Sequence, residues 1–303
     1  MSVVAEPSLR GRSLVRISDW SRAELEAVLD LAVELKAGPR RSLLPGRSLG
    51  MIFHKPSTRT RVSFEVGMEQ LGGHALNLAA ADLQLARGEG LRETAIVLSG
   101  YLDAILIRTF AEADVDELAR HASVPVINGL TDATHPCQAL ADALTIRERL
   151  GGTDGVRVAY VGDGNNVLHS LAAVANRLGM SLVAATPPGF EPDAAEAERA
   201  GGIVLTHNPI EAVRGADVVY TDVWTSMGQE AEHERRRRAF RGYGVDERML
   251  ARAAPGAIAM HCLPAHLGEE ITEGVAYGTQ SAIWQQAENR LHAQKALLAL
   301  VVA

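Results

Sequence analysis

The sequence predicts an α/β protein of two domains, each a doubly wound, mostly parallel sheet with helices on both faces. Three observations predict it. Short apolar runs alternate with segments whose apolar residues recur at helical spacing, and strand–helix alternation builds parallel sheets. The pattern breaks at Gly151-Gly152 and restarts at Val156. The chain has 303 residues, 47% of them hydrophobic, which suffices for two cores when domains run to about 100–200 residues. The expected domains are 1–150 and 151–280, with 281–303 a C-terminal helix returning to the first domain.

In the first half, Ser21 and Glu24 have capping-box spacing. The helix they open carries Leu25, Val28, Leu29, Ala32 and Leu35 on one face and ends near Gly38-Pro39. Met51-Ile52-Phe53 is a buried strand. Val62 to Leu71 is a helix closed by Gly72-Gly73, and Ala75 to Leu78 a short strand. Ala79 to Glu89 has no period and is expected as a loop. Leu91 to Leu98 and Val115 to Ala122 are helices. Ala104 to Ile107 and Val124 to Ile127 are strands, and a helix runs from Ala139 to Leu150.

In the second half, Val156 to Val161 is a strand, followed by a helix to about Leu178. Leu182 to Ala184, Ile203 to Leu205, Val218 to Tyr220 and Ala257 to Met260 are further strands. The tail from about Ser281 is amphipathic helix.

Ser57-Thr58-Arg59-Thr60-Arg61 occupies the turn between the Met51 strand and the helix after it. A helix start leaves backbone N–H groups without partners, and the helix dipole favours an anion there. Hydroxyls and guanidinium forks add charge-assisted donors. The plain alternative is an N-cap at Ser57 with solvated arginines. Arginine in a first helical turn opposes the dipole, and an anion removes that conflict. Arg108-Thr109 and His135 to Gln138 also stand at or beyond carboxyl ends of strands, where ligands bind in such sheets. The three groups are expected to converge as a phosphate clamp.

The net charge of −7 argues against nonspecific nucleic-acid binding. Arg235 to Arg238 lie among Glu230, Glu232 and Glu234 and read as a solvated helix face. Two cysteines, Cys137 and Cys262, make no disulfide framework. No run approaches the ~18 apolar residues of a membrane span, and the N-terminus has no signal-like core. A cytoplasmic protein with no membrane partner is expected. Gly162-x-Gly164 mimics a dinucleotide fingerprint, but Val167 holds the third glycine position and Ala185-Thr186 stands where the acidic residue belongs. A tight turn is expected instead, with no cofactor. No histidine or cysteine spacing suits a metal.

Together these residues resemble the aspartate/ornithine carbamoyltransferase family. The segment Lys55-Pro56-Ser57-Thr58-Arg59-Thr60-Arg61-Val62-Ser63-Phe64-Glu65 is similar to its carbamoyl-phosphate signature, and His135-Pro136-x-Gln138 is a second shared element. Asp222-x-x-x-Ser226-Met227-Gly228, His261-Cys262-Leu263-Pro264 and Glu288-Asn289-Arg290-Leu291-His292 resemble the ornithine branch. The likeness spans essentially the whole chain. His54 and Leu267 depart from the usual pattern.

The resemblance implies transfer of a carbamoyl group from carbamoyl phosphate to the side-chain amine of L-ornithine. It implies that Ser57, Thr58, Arg59, Thr60, Gln84, Arg108, His135, Gln138, Cys262, Leu263 and Arg290 bind carbamoyl phosphate. Asn166, Asp222, Ser226 and Met227 would bind ornithine, Asp222 through its α-ammonium. Arg108, His135 and Cys262 would carry the chemistry, with His261 the alternative to Cys262 at the amine. Arg61 would be structural, paired with a local carboxylate. A homotrimer is implied, with Gln84 reaching a neighbouring site. Closure of the two domains, with the loop around Gly228 moving, would exclude water. The alternatives are the same chemistry on putrescine or an acylated ornithine, a noncatalytic phosphate or amino-acid binding protein, and, weakest, a dinucleotide-dependent oxidoreductase.

Overall fold

The computed structural model describes residues 9–225 and 232–303. Ser226, Met227 and Gly228 lie outside them. The chain forms two compact units. One comprises the chain up to Leu144 together with Asn289–Ala303, and the other Thr145–Glu288.

The first unit opens with helix α1 (Arg22–Ala37), whose capping box at Ser21 and Glu24 is present. Four strands follow: β1 (Ser48–Phe53), β2 (His74–Ala79), β3 (Ala104–Arg108) and β4 (Val126–Leu130), all parallel in the order β2-β1-β3-β4. Helices α2 (Thr58–Gln70), α3 (Leu91–Ser99), α4 (Glu112–His121) and α5 (Pro136–Leu150) connect or follow them. Ile52, Ile105, Ile107, Val115, Leu118 and Val126 pack into one core cluster.

The second unit is again fully parallel. Its strands β5 (Arg157–Val161), β6 (Ser181–Ala185), β7 (Val204–Thr206), β8 (Val218–Thr221) and β9 (Ile258–His261) run in the order β7-β6-β5-β8-β9. Helices α6 (Asn166–Arg177), α7 (Ala194–Arg199), α8 (Pro209–Val213), α9 (His233–Ala239), α10 (Glu247–Leu250) and α11 (Glu273–Ala276) cover the sheet. Val161, Val219, Trp224, Phe240 and Ile271 lie in its core.

Helix α12 (Ile283–Val302) brings the chain back to the first unit. There Arg290 donates to Thr60, Lys295 to Gln70, and Gln294 to Ser63.

Strand order fixes where a ligand can bind. In each sheet the order reverses once, and loops leave in opposite directions at that point, opening a crevice beyond the carboxyl ends. In the first sheet the reversal lies at β1 and β3, whose ends carry Ser57–Arg61 and Arg108. In the second it lies at β5 and β8, whose ends carry Gly162–Asn166 and Asp222.

The structure corrects several expected elements. Ala79 to Glu89 is not plain loop but holds two 3-10 turns, Ala80–Asp82 and Gln84–Arg87. Helix α2 starts at Thr58 and α5 at Pro136, each earlier than the apolar spacing suggests. Both first turns are polar or proline-led, so periodicity misses them. Arg235 to Arg238 is not a uniformly solvated face. Arg236 is buried and pairs with Asp163 at 2.9 Å. The dinucleotide mimic has a packing explanation: a Cβ on Gly164 would come within 2.2 Å of the Pro192 nitrogen.

Candidate active site

Ser57 caps α2 by accepting from the Thr60 N–H at 3.3 Å. Thr58 and Arg59 are exposed in the first turn, while Thr60 is buried. The entry turn is pinned from beneath by Lys55, which is buried, pairs with Asp132 and lies 4.2 Å over the Phe110 ring. Sequence reasoning assigned Lys55 no role; its partners, both exposed, are 55 or more positions downstream. Arg61 pairs with Glu65 one turn on, at 3.2 Å.

Arg290 arrives from α12 and ties the pocket together. It donates to Thr60 Oγ1 at 3.2 Å, to Gln138 Oε1 at 2.9 Å and to Gln294 Oε1 at 2.9 Å. Gln138 in turn donates to Asp142 at 2.8 Å. Arg108 ends β3 and is buried, as is His135 just before α5. His135 has a pKa well below the ordinary histidine value. Burial is the first cause, and the positive charges of Arg290, Arg108 and Arg59 add to it. These residues, far apart in sequence, form one cationic cradle with a neutral imidazole inside it. Gln84 is exposed and opens its 3-10 turn.

In the second unit, Asn165, next to the expected Asn166, ties several groups together. Its carbonyl caps α6 by accepting from the Val167 and Leu168 N–H groups, and accepts from the Tyr160 hydroxyl. Its amide donates to Asp222 Oδ2 at 2.7 Å. The Cys262 thiol donates to the other Asp222 oxygen at 2.9 Å. Asn166 is the first residue of α6 and half-buried. An asparagine ahead of an apolar helix is an N-cap signal, which points to Asn165. Burial pushes the Asp163 carboxyl up to about 6, against the pull of Arg236.

Cys262 and Leu263 follow β9. Leu263 has φ of 60°, a left-handed backbone unusual for a side chain with a Cβ. His261 is fully buried and has both ring nitrogens engaged. Nδ1 accepts from the Leu263 N–H at 2.9 Å, and Nε2 lies 3.2 Å from Glu270 Oε1. That rules His261 out as the group contacting an amine. Cys137 is buried against the Asn128 carbonyl, and burial raises its pKa to about 11.

Among the described residues two groups bring three potential metal ligands within 4.8 Å: Asp222, His261 and Cys262, and His266, Glu269 and Glu270. In the first, the Cys262 thiol donates to Asp222 and the His261 Nδ1 accepts from the Leu263 N–H.

A carbamoyl-phosphate-binding domain of the aspartate/ornithine carbamoyltransferases matches residues 12–148, and their Asp/Orn-binding domain matches residues 154–301. The chain belongs to the aspartate/ornithine carbamoyltransferase family. Within that family, ornithine carbamoyltransferase of Symbiobacterium thermophilum is 56% identical, covering 98% of this chain and 99% of its own. The solved ornithine carbamoyltransferase of Pyrococcus furiosus superposes with a TM-score of 0.93 at 53% identity, over 98% of both chains. An acetylornithine transcarbamylase complexed with acetylcitrulline has a TM-score of 0.87 at 32% identity, over 96% of this chain and 99% of its own. The family fold therefore serves more than one amine, and the side chains must decide which.

Proposed function

We propose that this chain is an ornithine carbamoyltransferase: it transfers the carbamoyl group of carbamoyl phosphate to the side-chain amine of L-ornithine, releasing L-citrulline and phosphate. The observation carrying the choice of amine is Asp222. It is a buried carboxylate held on one oxygen by Asn165 and on the other by Cys262, and it suits a free α-ammonium. An acylated nitrogen offers it no charge.

The cradle of Ser57, Thr58, Arg59, Thr60 and Arg108 binds the phosphate. Gln138 has a second carbonyl lone pair for the carbamoyl NH2, beside the one Arg290 uses. The Leu263 carbonyl accepts from the same group. Ornithine enters as a side-chain ammonium, and at pH 7 its neutral form costs about 4–5 kcal/mol against a pKa of ~10.4. The ammonium gives one proton to solvent through the Cys262–Asp222 pair. The amine lone pair forms the C–N bond, and the carbonyl electrons move onto oxygen. Arg108, the Thr60 hydroxyl and the neutral N–H of His135 stabilise that oxyanion. When it collapses, the C–O bond to phosphorus breaks, and the second amine proton leaves with phosphate.

Asn166, Ser226 and Met227 complete the ornithine side in this reading. Exposed Gln84 serves a neighbouring subunit's site in a homotrimer, which sedimentation tests. Among the described residues no helix is long and apolar enough to cross a membrane, and we place the enzyme in the cytoplasm. One Pyrococcus furiosus relative, 54% identical over 97% of this chain, is named anabolic. We propose the same direction here, in arginine biosynthesis.

Citrulline production with L-ornithine, acetylornithine and putrescine side by side tests the reading. The expected result is a kcat/KM for L-ornithine about 100-fold or more above the others. Comparable rates with acetylornithine would overturn it.

A further inference from the structure

The turn that carries Cys262 and Leu263 is under tension. Leu263 holds a left-handed backbone, which crowds a residue's Cβ against the following carbonyl oxygen. Such a conformation persists only where its surroundings over-determine it. The surroundings are the His261 ring, which takes the Leu263 N–H on Nδ1 at 2.9 Å, and Glu270 behind that ring.

A backbone N–H can only donate, so Nδ1 must carry a lone pair. In a neutral imidazole the proton is then on Nε2, which faces Glu270 Oε1 at 3.2 Å. The same oxygen accepts from the His266 N–H at 2.6 Å. Glu270 therefore fastens the turn at both ends, through the ring of His261 and the backbone of His266. Glu270 is itself anchored, because its backbone carbonyl accepts from core residue Val245 at 2.9 Å. His261 is held from its other side, its backbone N–H donating to Gln286 at 2.9 Å. Both side chains are fully buried.

We infer that Glu270 is a positioning residue: it holds His261 in the Nε2–H tautomer, and that ring sets the turn which aims the Cys262 thiol at Asp222 and presents the Leu263 carbonyl. The pair is not a proton relay, since Nδ1 is spent on the backbone. Nothing in the role requires a negative charge at Glu270. It requires an acceptor facing Nε2.

This inference rests on the proposed activity for its kinetic consequences but not for the tautomer. Nitrogen NMR of 15N-histidine-labelled wild-type protein at pH 7, with the signal assigned by its loss in His261→Gln, reads the ring directly. The expected spectrum has the proton on Nε2, unchanged in Glu270→Gln and lost or mixed in Glu270→Ala. Kinetically, Glu270→Ala is expected to lower kcat/KM for L-ornithine about 30-fold while carbamoyl phosphate binding stays within about threefold, and Glu270→Gln to recover most of the loss. A proton on Nδ1 in the wild type would overturn the inference. So would a folded Glu270→Ala with wild-type kinetics, or one that weakens both substrates equally. If Glu270→Ala does not fold, the wild-type spectrum and Glu270→Gln still decide. Absence of any citrulline from the wild type would strike the proposed activity and leave the tautomer to the spectrum.

Discussion

In the first unit, His135 lies among three guanidinium groups, and the positive end of a helix adds to them. In the second, Asp222 and Asp163 stand near each other, with a thiol and an asparagine amide on Asp222 and a single guanidinium on Asp163. One site is built on accumulated positive charge, which in the proposed reading receives an anion. The other is built on a hydrogen-bond network around a carboxylate, which in that reading receives an ammonium. The contrast teaches that the same strand topology, with its single reversal in strand order, leaves the sign of the ligand entirely to the loops.

The largest effect that could break this contrast is at the cationic end. Arg59→Ala removes an exposed side chain and leaves the core intact. Steady-state citrulline assays are expected to show kcat/KM for carbamoyl phosphate down by about 1,000-fold. Next comes Asp222→Ala, which is expected to lower kcat/KM for L-ornithine by about 100-fold, through KM as the α-ammonium loses its partner and through kcat as Cys262 loses its own. An equal rise in the carbamoyl phosphate KM would contradict the division of labour. Asn165→Ala is smaller. It frees one Asp222 oxygen and uncaps α6, so kcat/KM for L-ornithine should fall about tenfold and calorimetry should register about 1 kcal/mol lost stability.

Two milder tests sharpen the picture. Alkylation followed by mass spectrometry at pH 8 should label half-buried Cys262 and spare Cys137, whose thiol is buried and raised to about 11. L-Ornithine with carbamoyl phosphate should slow the Cys262 reaction. Acid stability tests His135. Its folded pKa is depressed, so the unfolded chain takes up the proton first as pH falls below ~6.5. The stabilisation is therefore complete above that value and is lost progressively below it. Thermal melts from pH 7 to pH 5 should fall more steeply for the wild type than for His135→Asn.

The strands and helices of the first unit were legible because they are written in consecutive residues. The helix start after β1 is a case: Ser57 stands at its cap, as the local sequence suggests. Two-sheet topology followed from alternation alone. What was not legible is long-range pairing. Arg290 reaches Gln138 and Thr60 across the sequence, Asn165 reaches Asp222, and Glu270 reaches His261 across a turn. Composition and spacing do not encode those partners. Arg236 shows a related blind spot. Four consecutive residues on a helix point about 100° apart, so a run of arginines must turn one inward, and Asp163 receives it. Asn165 was readable in principle as a cap.

The central claim is that each unit holds its own reactant by charge of one sign. Isothermal titration of carbamoyl phosphate, with no ornithine present, tests it most directly on wild type, Arg59→Ala and Asp222→Ala. The account predicts that Arg59→Ala weakens binding about 100-fold or more, while Asp222→Ala stays within about threefold of wild type. Comparable weakening by Asp222→Ala would contradict it.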